Sequence, residues 1–440
     1  MATRDSPLTF VSHRASRLAK VEAADRLPRT IVTAVSLDIR LVTDTEHQAW
    51  LDQLARAFFE HNAEGASEYY LSGSDPGRSR GAFDEGTVVG TLRSFASELT
   101  VPGPRTVPAS ALTAVSVAAS HRRRGLLTGM LEPDLRESAE RGEAVSILLA
   151  SEYPIYGRFG YGPATERVKY DVSTTGLGFM RPSEGAVEFV DLRRLRELAP
   201  PVYERFRAEM PGSITRRDDW WDRVTRQVEV PGEEPWKGFQ AVYRSPAGNV
   251  EGYVLYEGKP DWTTVFTSGA LSIHELLAET PAAYQALWEF CFNVDLLNTT
   301  VASNRAPDEV LPFLVDDARK LRVVARGDFL WVRVLDTCAA LAARRYSTEG
   351  RLVLEVQDHL SLASGRFALE GSPGDASCTP TTDAADLTMP IRALGATYLG
   401  GVSWTRLAAA GLIDEHRPGA LSLADSMFLT TRAPWCTTHF

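Results

Sequence analysis

Residues 112–150 constrain the fold of this chain more than any other segment. A strand pattern over residues 112–117 leads through a basic turn into a helix that we predict from Gly125 to Arg141. The apolar run 145–150 follows and is typical of a strand buried on both faces of a sheet. A strand, a helix and a second strand with short links form a parallel crossover, which predicts an α/β fold.

The turn before that helix is a candidate anion site. It contains Arg122, Arg123 and Arg124, and Gly125 then opens the helix. The first turn of a helix has unpaired N–H groups and the positive end of the dipole, so a pyrophosphate can bind there. Charge alone would favour a solvated basic run, but the strand before the turn and the apolar strand after it favour a phosphate seat. A nucleic-acid patch does not suit a chain with a net charge of −10.

The rest of the chain divides into further folding units. At roughly 150 residues per domain, 440 residues suggest about three domains. Residues 1–35 read as a disordered leader, residues 37–170 alternate strand and helix, residues 187–335 repeat that plan without the basic glycine turn, and the last hundred residues form a mixed α+β unit. Thr280 and Pro281 predict the start of a helix in the repeat, where Thr caps and Pro opens it.

Specific elements follow from periodicity and turn residues. We predict a helix over residues 44–63 and a kink or restart at Pro133. The strands that we predict cover residues 86–91, 95–101, 240–243, 251–256, 265–271, 299–302, 352–356, 366–369 and 386–389. Pro390 is expected to open a helix that runs to Leu399 and ends at Gly400 and Gly401.

Composition limits the class of protein. The four cysteines, Cys291, Cys338, Cys378 and Cys436, form no CxxC pair and no cluster with zinc spacing, so we expect no metal and a cytoplasmic location. No apolar run approaches the roughly 20 residues of a membrane span. The acidic net charge suits a cationic substrate better than a nucleic acid or a membrane surface.

Two motifs together resemble a known family. Arg122-x-x-Gly125 after a strand resembles the pyrophosphate loop of the GCN5-related (GNAT) N-acetyltransferases, with Leu127 where Gly or Ala is usual. The joint pattern V-S-V-A-x-x-H-R-R-R-G-L-L and S-E-x-x-I-Y-G-R-F-G-Y-G-P-A-T resembles the enhanced-intracellular-survival (Eis) acetyltransferases of actinobacteria. The resemblance covers about residues 37–440 and implies a homohexamer. It also implies tandem GNAT-like domains over residues 36–178 and 179–335, then a sterol-carrier-like α+β domain over residues 336–440.

The resemblance also assigns roles to particular residues, with acetyl-CoA as cosubstrate. Three residues of the strand, Val115, Ser116 and Val117, would present its edge to the pantetheine arm. Ser151 and Glu152 would line the far side of the cofactor cleft. The pyrophosphate would be held by the turn and the first helical residues: Arg122, Arg123, Arg124, Gly125, Leu126, Leu127 and Thr128.

The catalytic groups implied are Tyr156, as the acid that protonates the departing thiolate, and the terminal carboxylate of Phe440, as the base for the amine. His439 stands where the family would have an acidic residue, and His121 is expected to point toward the phosphates. The family implies acetylation of aminoglycosides at several amines, and Glu60 and Glu64 are candidate contacts for such polycations. Protein lysines or polyamines as acceptors, and a non-enzymatic lipid or sterol carrier, are the alternatives.

Overall fold

The computed structural model of the chain describes residues 37–73, 75–263 and 268–440. The predicted leader and the first residues of the predicted strand 265–271 therefore lie outside the described residues. Residues 37–440 form one compact unit with three sheets. None of the described helices combines the length and the hydrophobicity that crossing a bilayer requires.

The secondary structure runs in three groups along the chain. The first group comprises β1 (Leu37–Leu41), α1 (His47–Ala57), α2 (Ala66–Ser72), β2 (Ser79–Asp84), β3 (Thr87–Val101), β4 (Arg105–Val117), α3 (Leu126–Glu140), β5 (Val145–Leu149), α4 (Tyr153–Tyr156) and β6 (Gly162–Pro163). The second comprises β7 (Glu166–Ser173), β8 (Ala186–Phe189), α5 (Leu192–Glu209), α6 (Asp218–Val224), β9 (Phe239–Arg244), β10 (Val250–Pro260), β11 (Gly269–Ala278), α7 (Pro281–Phe292), β12 (Thr299–Arg305), β13 (Leu321–Asp328) and β14 (Leu330–Val334). The third comprises α8 (Thr337–Ala343), β15 (Gly350–Gln357), β16 (Gly365–Gly371), β17 (Ala376–Pro380), β18 (Leu387–Pro390), α9 (Ile391–Thr397), α10 (Trp404–Ala409), β19 (Asp414–Glu415) and α11 (Ala420–Phe428).

The first two sheets exchange a strand. The spatial order of the first sheet is β1-β2-β3-β4-β5-β14-β6, and that of the second is β13-β7-β12-β11-β10-β9-β8. Strand β7, which lies before the predicted domain boundary at residue 178, therefore belongs to the second sheet, between β13 and β12, while β14, from the end of the second group, lies between β5 and β6 in the first sheet. A boundary at residues 178 and 179 does not separate the two sheets, because each strand pairs with the free edge it reaches and not with its sequence neighbours.

The predicted crossover is confirmed. Strands β4 and β5 pair in parallel from Ala109–Val145 to Leu112–Leu148, with α3 between them along the chain. Helix α3 buries one face against the sheet through Leu126, Met130 and Leu135. On the opposite face of the sheet, Trp50 of α1 and Phe83 of β2 belong to a separate apolar cluster, and α1 packs against β3. The two faces of the sheet are therefore covered by different helices.

Three local predictions need correction. The helix predicted over residues 44–63 ends at Ala57, and Phe59 then adopts a left-handed φ of 60°, which stops propagation. The two strands predicted over residues 86–101 form the single strand β3, because β4 pairs with it from Gly90 to Val101. Of the kink or restart expected at Pro133, the restart is absent, because Pro133 lies within one continuous helix.

The third sheet has the order β17-β16-β15-β18-β19. The strands predicted at residues 352–356, 366–369 and 386–389 are present within β15, β16 and β18, and Pro390 is the N-cap of α9. The α9 helix packs on β14 and β6 of the first sheet, so the third unit covers an end of the first one.

Candidate active site

Helix α3 begins in a way that leaves its N-terminus available. Gly125 is the N-cap residue with a left-handed φ of 79°, and no side chain caps the helix. The first intrahelical bond runs from Gly129 N to Gly125 O at 2.9 Å, so the N–H groups of Leu126, Leu127 and Thr128 have no partner within the helix. A Cβ built on Gly125 would meet no atom within 4 Å, so the space above this turn is open.

The three arginines of the turn surround this N-terminus and are exposed. Arg123 has a left-handed φ of 63°, which together with Gly125 turns the chain sharply into the helix. Among the residues that the structure describes, Arg122, Arg123 and Arg124 have no carboxylate within salt-bridge distance. Free N–H groups, three unpaired guanidinium groups and open space fit a pyrophosphate. Leu126 contributes its backbone only, since its side chain is buried in the core.

Strand β4 has an open edge next to this turn. Its parallel pairing with β5 ends at Leu112 and Leu148, although β4 continues to Val117. A bulge interrupts its pairing with β3, and Ala114 there has a φ of 53°. Beyond Leu112 the backbone of β4, including Val115 and Val117, therefore has no β5 partner and is free to pair with an extended ligand.

Ser116 differs in environment from its two neighbours. Its hydroxyl hydrogen-bonds with the Thr91 hydroxyl at 2.7 Å, and Thr91 also donates to the Ala114 carbonyl at 2.8 Å. The Ser116 side chain is thus used to hold the bulge in shape, and the residue can meet a cofactor only through its backbone.

On the far side of the open edge, β5 leads into the short helix α4. Ser151 and Glu152 are exposed, whereas Tyr156 is buried against Tyr161, with ring centroids 6.1 Å apart. Burial raises the pKa of the Tyr156 phenol to about 12, although a hydrogen bond with the Ser151 side chain lowers it. Tyr156 is therefore a protonated phenol at neutral pH.

The C-terminus reaches the first sheet at the place where β4 and β5 part. The Phe440 ring packs edge-on against Phe95 with centroids 5.6 Å apart. Phe95 pairs with Ala111, one residue before the last β4–β5 pair. The chain end is thus held beside the start of the open edge, on the face of the sheet opposite to α3.

A buried arginine holds the tail that carries Phe440. Arg216, whose side chain is fully buried, donates to the hydroxyls of Thr438 at 2.9 Å and Thr437 at 3.2 Å. Its charge is balanced by Glu275 at 2.5 Å, and Tyr203 also hydrogen-bonds with Thr438 at 3.0 Å. Sequence reasoning missed this clamp, since the partners lie more than two hundred positions apart and no motif marks them.

Three further predicted residues take other positions. Glu60 and Glu64 are exposed on the loop after α1, not at a helix end. His121 hydrogen-bonds through Nε2 with Asp84 of β2 at 2.8 Å, so a carboxylate already occupies this nitrogen. Within the described residues, no group of three or more His, Cys, Asp or Glu side chains could hold a metal ion.

Comparisons with known proteins agree with this architecture. The Acetyltransferase (GNAT) domain family matches residues 38–164, a second GNAT domain family matches residues 212–334, and the Sterol carrier protein domain family matches residues 337–437. Fold and site thus define an N-acetyltransferase with tandem GNAT domains and a sterol-carrier-like domain, and enzymes of the GNAT type use acetyl-CoA.

Individual relatives narrow the family. An uncharacterized N-acetyltransferase of Streptomyces griseus is 40% identical over 416 residues, covering 92% of this chain and 100% of the relative. The N-acetyltransferase Eis of Mycobacterium tuberculosis is 35% identical over 367 residues, covering 79% of this chain and 85% of the relative. The crystal structure of Eis1 from Mycobacterium abscessus superposes with a TM-score of 0.81 at 34% identity, covering 92% of this chain and 100% of that one. The chain belongs to the Eis family of N-acetyltransferases.

Proposed function

We propose that this acetyltransferase acetylates a primary amine, with Tyr156 as general acid and the terminal carboxylate of Phe440 as general base. One observation carries the proposal. The Phe440 ring packs on Phe95, whose partner Ala111 lies one residue before the open edge of β4, and β4 leads along the chain to the uncapped N-terminus of α3. This arrangement supports a single site made of an anion-binding helix end, an extended binding edge and the terminal carboxylate.

The cofactor would be held by backbone groups more than by side chains. The N–H groups of Leu126, Leu127 and Thr128, with the guanidinium groups of Arg122, Arg123 and Arg124, would bind the pyrophosphate. The free backbone of Val115, Ser116 and Val117 would pair with the pantetheine arm, and Ser151 and Glu152 would line the other side. When bound, acetyl-CoA supplies an acetyl thioester.

The two catalytic groups would move protons in opposite directions. The Phe440 carboxylate would orient the substrate amine and accept its proton, directly or through water, as the new C–N bond forms. The Tyr156 Oη would donate a proton to the sulfur as the C–S bond breaks. Burial raises the pKa of Tyr156 to about 12 and so weakens the acid, but a thiolate formed in the same buried surroundings is also more basic.

The acceptor and the assembly are further parts of the proposal. The resemblance supports a cationic amine as the acceptor, with aminoglycosides acetylated at several positions as the first class to test and polyamines or protein lysines as alternatives.

The resemblance also supports a homohexamer, and the exposed apolar side chains of Val310, Phe313, Val323 and Val324 offer surface for contacts between copies. A cytoplasmic location is in keeping with four cysteines that are all free thiols.

The decisive experiment is to measure CoA release with a panel of aminoglycosides, polyamines and lysine peptides. Amine-dependent release with at least one class, and mass spectrometry of an N-acetylated product, is the expected result. Release that no amine stimulates, together with binding of an apolar ligand, would favour the lipid-carrier alternative. Multi-angle light scattering of the purified protein tests the assembly, where a mass other than six chains would contradict the hexamer.

A further inference from the structure

Arg93 lies half-buried on β3, two residues before Phe95, and has only neutral partners. Its guanidinium lies over the Trp50 ring at 4.8 Å, donates to Nε2 of His47 at 2.7 Å and donates to the Ser79 hydroxyl at 3.0 Å. In the described ranges of the chain, no carboxylate lies within salt-bridge distance of this group. Arg93 is thus a largely enclosed cation without a counter-ion.

The fully buried arginines of this protein are compensated in one of two ways. Arg344 has no carboxylate partner among the described residues but donates to the backbone carbonyls of Tyr398 and Phe428, and three others have a carboxylate. Arg216 pairs with Glu275, Arg305 with Glu309 and Arg333 with Asp358, and in each case the guanidinium is buried with its carboxylate. An unpaired buried charge is costly, which is why such groups are normally paired or bound to a ligand. In the part of the chain that the structure describes, Arg93 donates to neither a carboxylate nor a backbone carbonyl, so its missing partner needs an explanation.

The surroundings of Arg93 do not remove its charge. Burial, and then the positive charge of Arg217, lower the pKa of Arg93 to about 10, while Tyr70 acts in the opposite direction. Arg93 is still cationic at neutral pH. His47 cannot act as an anion, and burial lowers the pKa of its imidazole to about 4, so it is neutral.

Arg93 also lies beside the open edge of β4 that the proposed function assigns to acetyl-CoA. It pairs in register with Thr113, the first residue of β4 beyond the β5 pairing. Directly opposite residues of neighbouring strands are about 5 Å apart. Arg93 and Phe95 alternate with Leu92 and Ser94, so they share the face on which the Phe440 ring packs.

We infer that Arg93 binds an acidic group of the acceptor, so that the preferred substrate is an amine that also carries a carboxylate or a phosphate. This inference rests on the proposed amine acetylation and narrows its acceptor class. A polycation would bring several ammonium groups next to Arg93, and Arg217, which pairs with Asp219, lies only 5.9 Å from the Phe95 ring. His439, exposed just before Phe440, supplies no negative charge to compensate.

Matched acceptors test the inference with the wild-type enzyme. L-Lysine and 1,5-diaminopentane differ only by a carboxylate, and O-phosphoethanolamine and ethanolamine differ only by a phosphate. We expect kcat/KM for the acidic member of at least one pair to exceed that of its counterpart without the acidic group by about tenfold or more, because a hydrogen-bonded charge pair is gained. The pair with the larger ratio identifies the group as carboxylate or phosphate.

Two variants assign the preference to Arg93. Arg93→Met keeps an unbranched side chain next to Trp50 and should reduce kcat/KM for the acidic member of the pair to that of its counterpart. Arg93→Lys keeps the charge and should retain part of the preference. The control is Arg40→Met, since Arg40 also lies over a ring, Phe83 at 4.0 Å, but is paired with Asp38 and Glu46. It should leave the ratio unchanged.

The outcomes separate this inference from the proposed function. Turnover of amines with no preference for the acidic member would overturn the inference and leave amine acetylation standing. An equal loss for both members in Arg93→Met would also overturn it, because Arg93 would then act on the chain end or the fold. If no amine stimulates CoA release, the proposed function fails and the inference fails with it.

Discussion

The two GNAT domains contain the same crossover, but their helices begin differently. Helix α3 starts at Gly125 without a side-chain cap, below three exposed arginines. Helix α7 starts at Thr280, whose hydroxyl accepts from Ala283 N at 3.2 Å, and Pro281 removes another donor. The first helix therefore leaves its N–H groups without a side-chain cap, whereas the second has one of them capped and lacks another.

The strands beside these helices differ in the same sense. In the first domain the edge of β4 beyond Leu112 is left without β5. In the second domain β11 and β12 also stop pairing, after Ile273 and Ala302, but Arg305 fills this region. It donates to the Leu276 carbonyl at 2.7 Å and pairs with buried Glu309. The proposed function therefore places the cofactor in the first crossover, where both the helix end and the strand edge are left unsatisfied, and not in the second.

The largest expected effect comes from closing the open helix end. Gly125→Glu places a side chain and a negative charge in the phosphate seat, so we expect acetyl-CoA affinity to fall by at least about 100-fold in calorimetric titration. Gly142→Glu is the matched control, because Gly142 has a φ of 81° and equally open space at the other end of the same helix. Equal affinity in the two variants would show that the pyrophosphate binds elsewhere.

The second largest effect is expected at Tyr156, the phenol that follows β5. The second domain has no counterpart to it, since residues 306–320 after β12 contain no tyrosine. Tyr156→Phe should lower kcat by about 10²–10⁴-fold and leave acetyl-CoA affinity unchanged, because a general acid acts in the transition state. Tyr161→Phe, which loses a buried hydrogen bond with Ser146, should affect thermal stability more than turnover. Normal turnover of Tyr156→Phe would make Tyr156 a packing residue only.

A third prediction concerns the tail, which crosses the second domain to reach the first. One glycine appended after Phe440 moves the carboxylate by about 3.5 Å and should lower turnover by about 100-fold or more, with acetyl-CoA affinity retained. His439→Ala leaves the carboxylate in place and should stay within a few-fold of the wild type. Wild-type turnover of the extended chain would place the base at another residue, with His439 or Glu152 next to be tested.

The smallest effect is expected from uncapping the second helix. Thr280→Ala should cost about 1 kcal/mol of unfolding free energy, measured by denaturant titration, because one N–H group loses its acceptor. The variant should gain no second acetyl-CoA site, since Pro281 and Arg305 stay in place. Thr405→Ala, at an exposed position in the first turn of α10, should change stability by less than about 0.5 kcal/mol. Binding of a second acetyl-CoA per chain by Thr280→Ala would contradict the comparison between the N-termini of α3 and α7.

Much of the first domain could be predicted because its signals are local. The apolar run at Val145–Leu149, the glycine at the start of α3 and the Thr280–Pro281 cap each act through neighbouring residues. The errors were of another kind. Helix α1 ends where Phe59 adopts a left-handed conformation, and β3 is continuous because it pairs with β4. The hydrophobic periodicity of the sequence predicts neither feature.

The sequence by itself determined the crossover, the basic turn and the family, since these depend on short-range pattern and on motifs. Only the tertiary structure decided the exchange of β7 and β14, the clamp of Arg216 on the tail and the enclosure of Arg93 without a carboxylate. These features depend on which surfaces meet after folding. Strand pairing, burial and charge compensation join residues far apart in the chain, and local propensity contains no information about them.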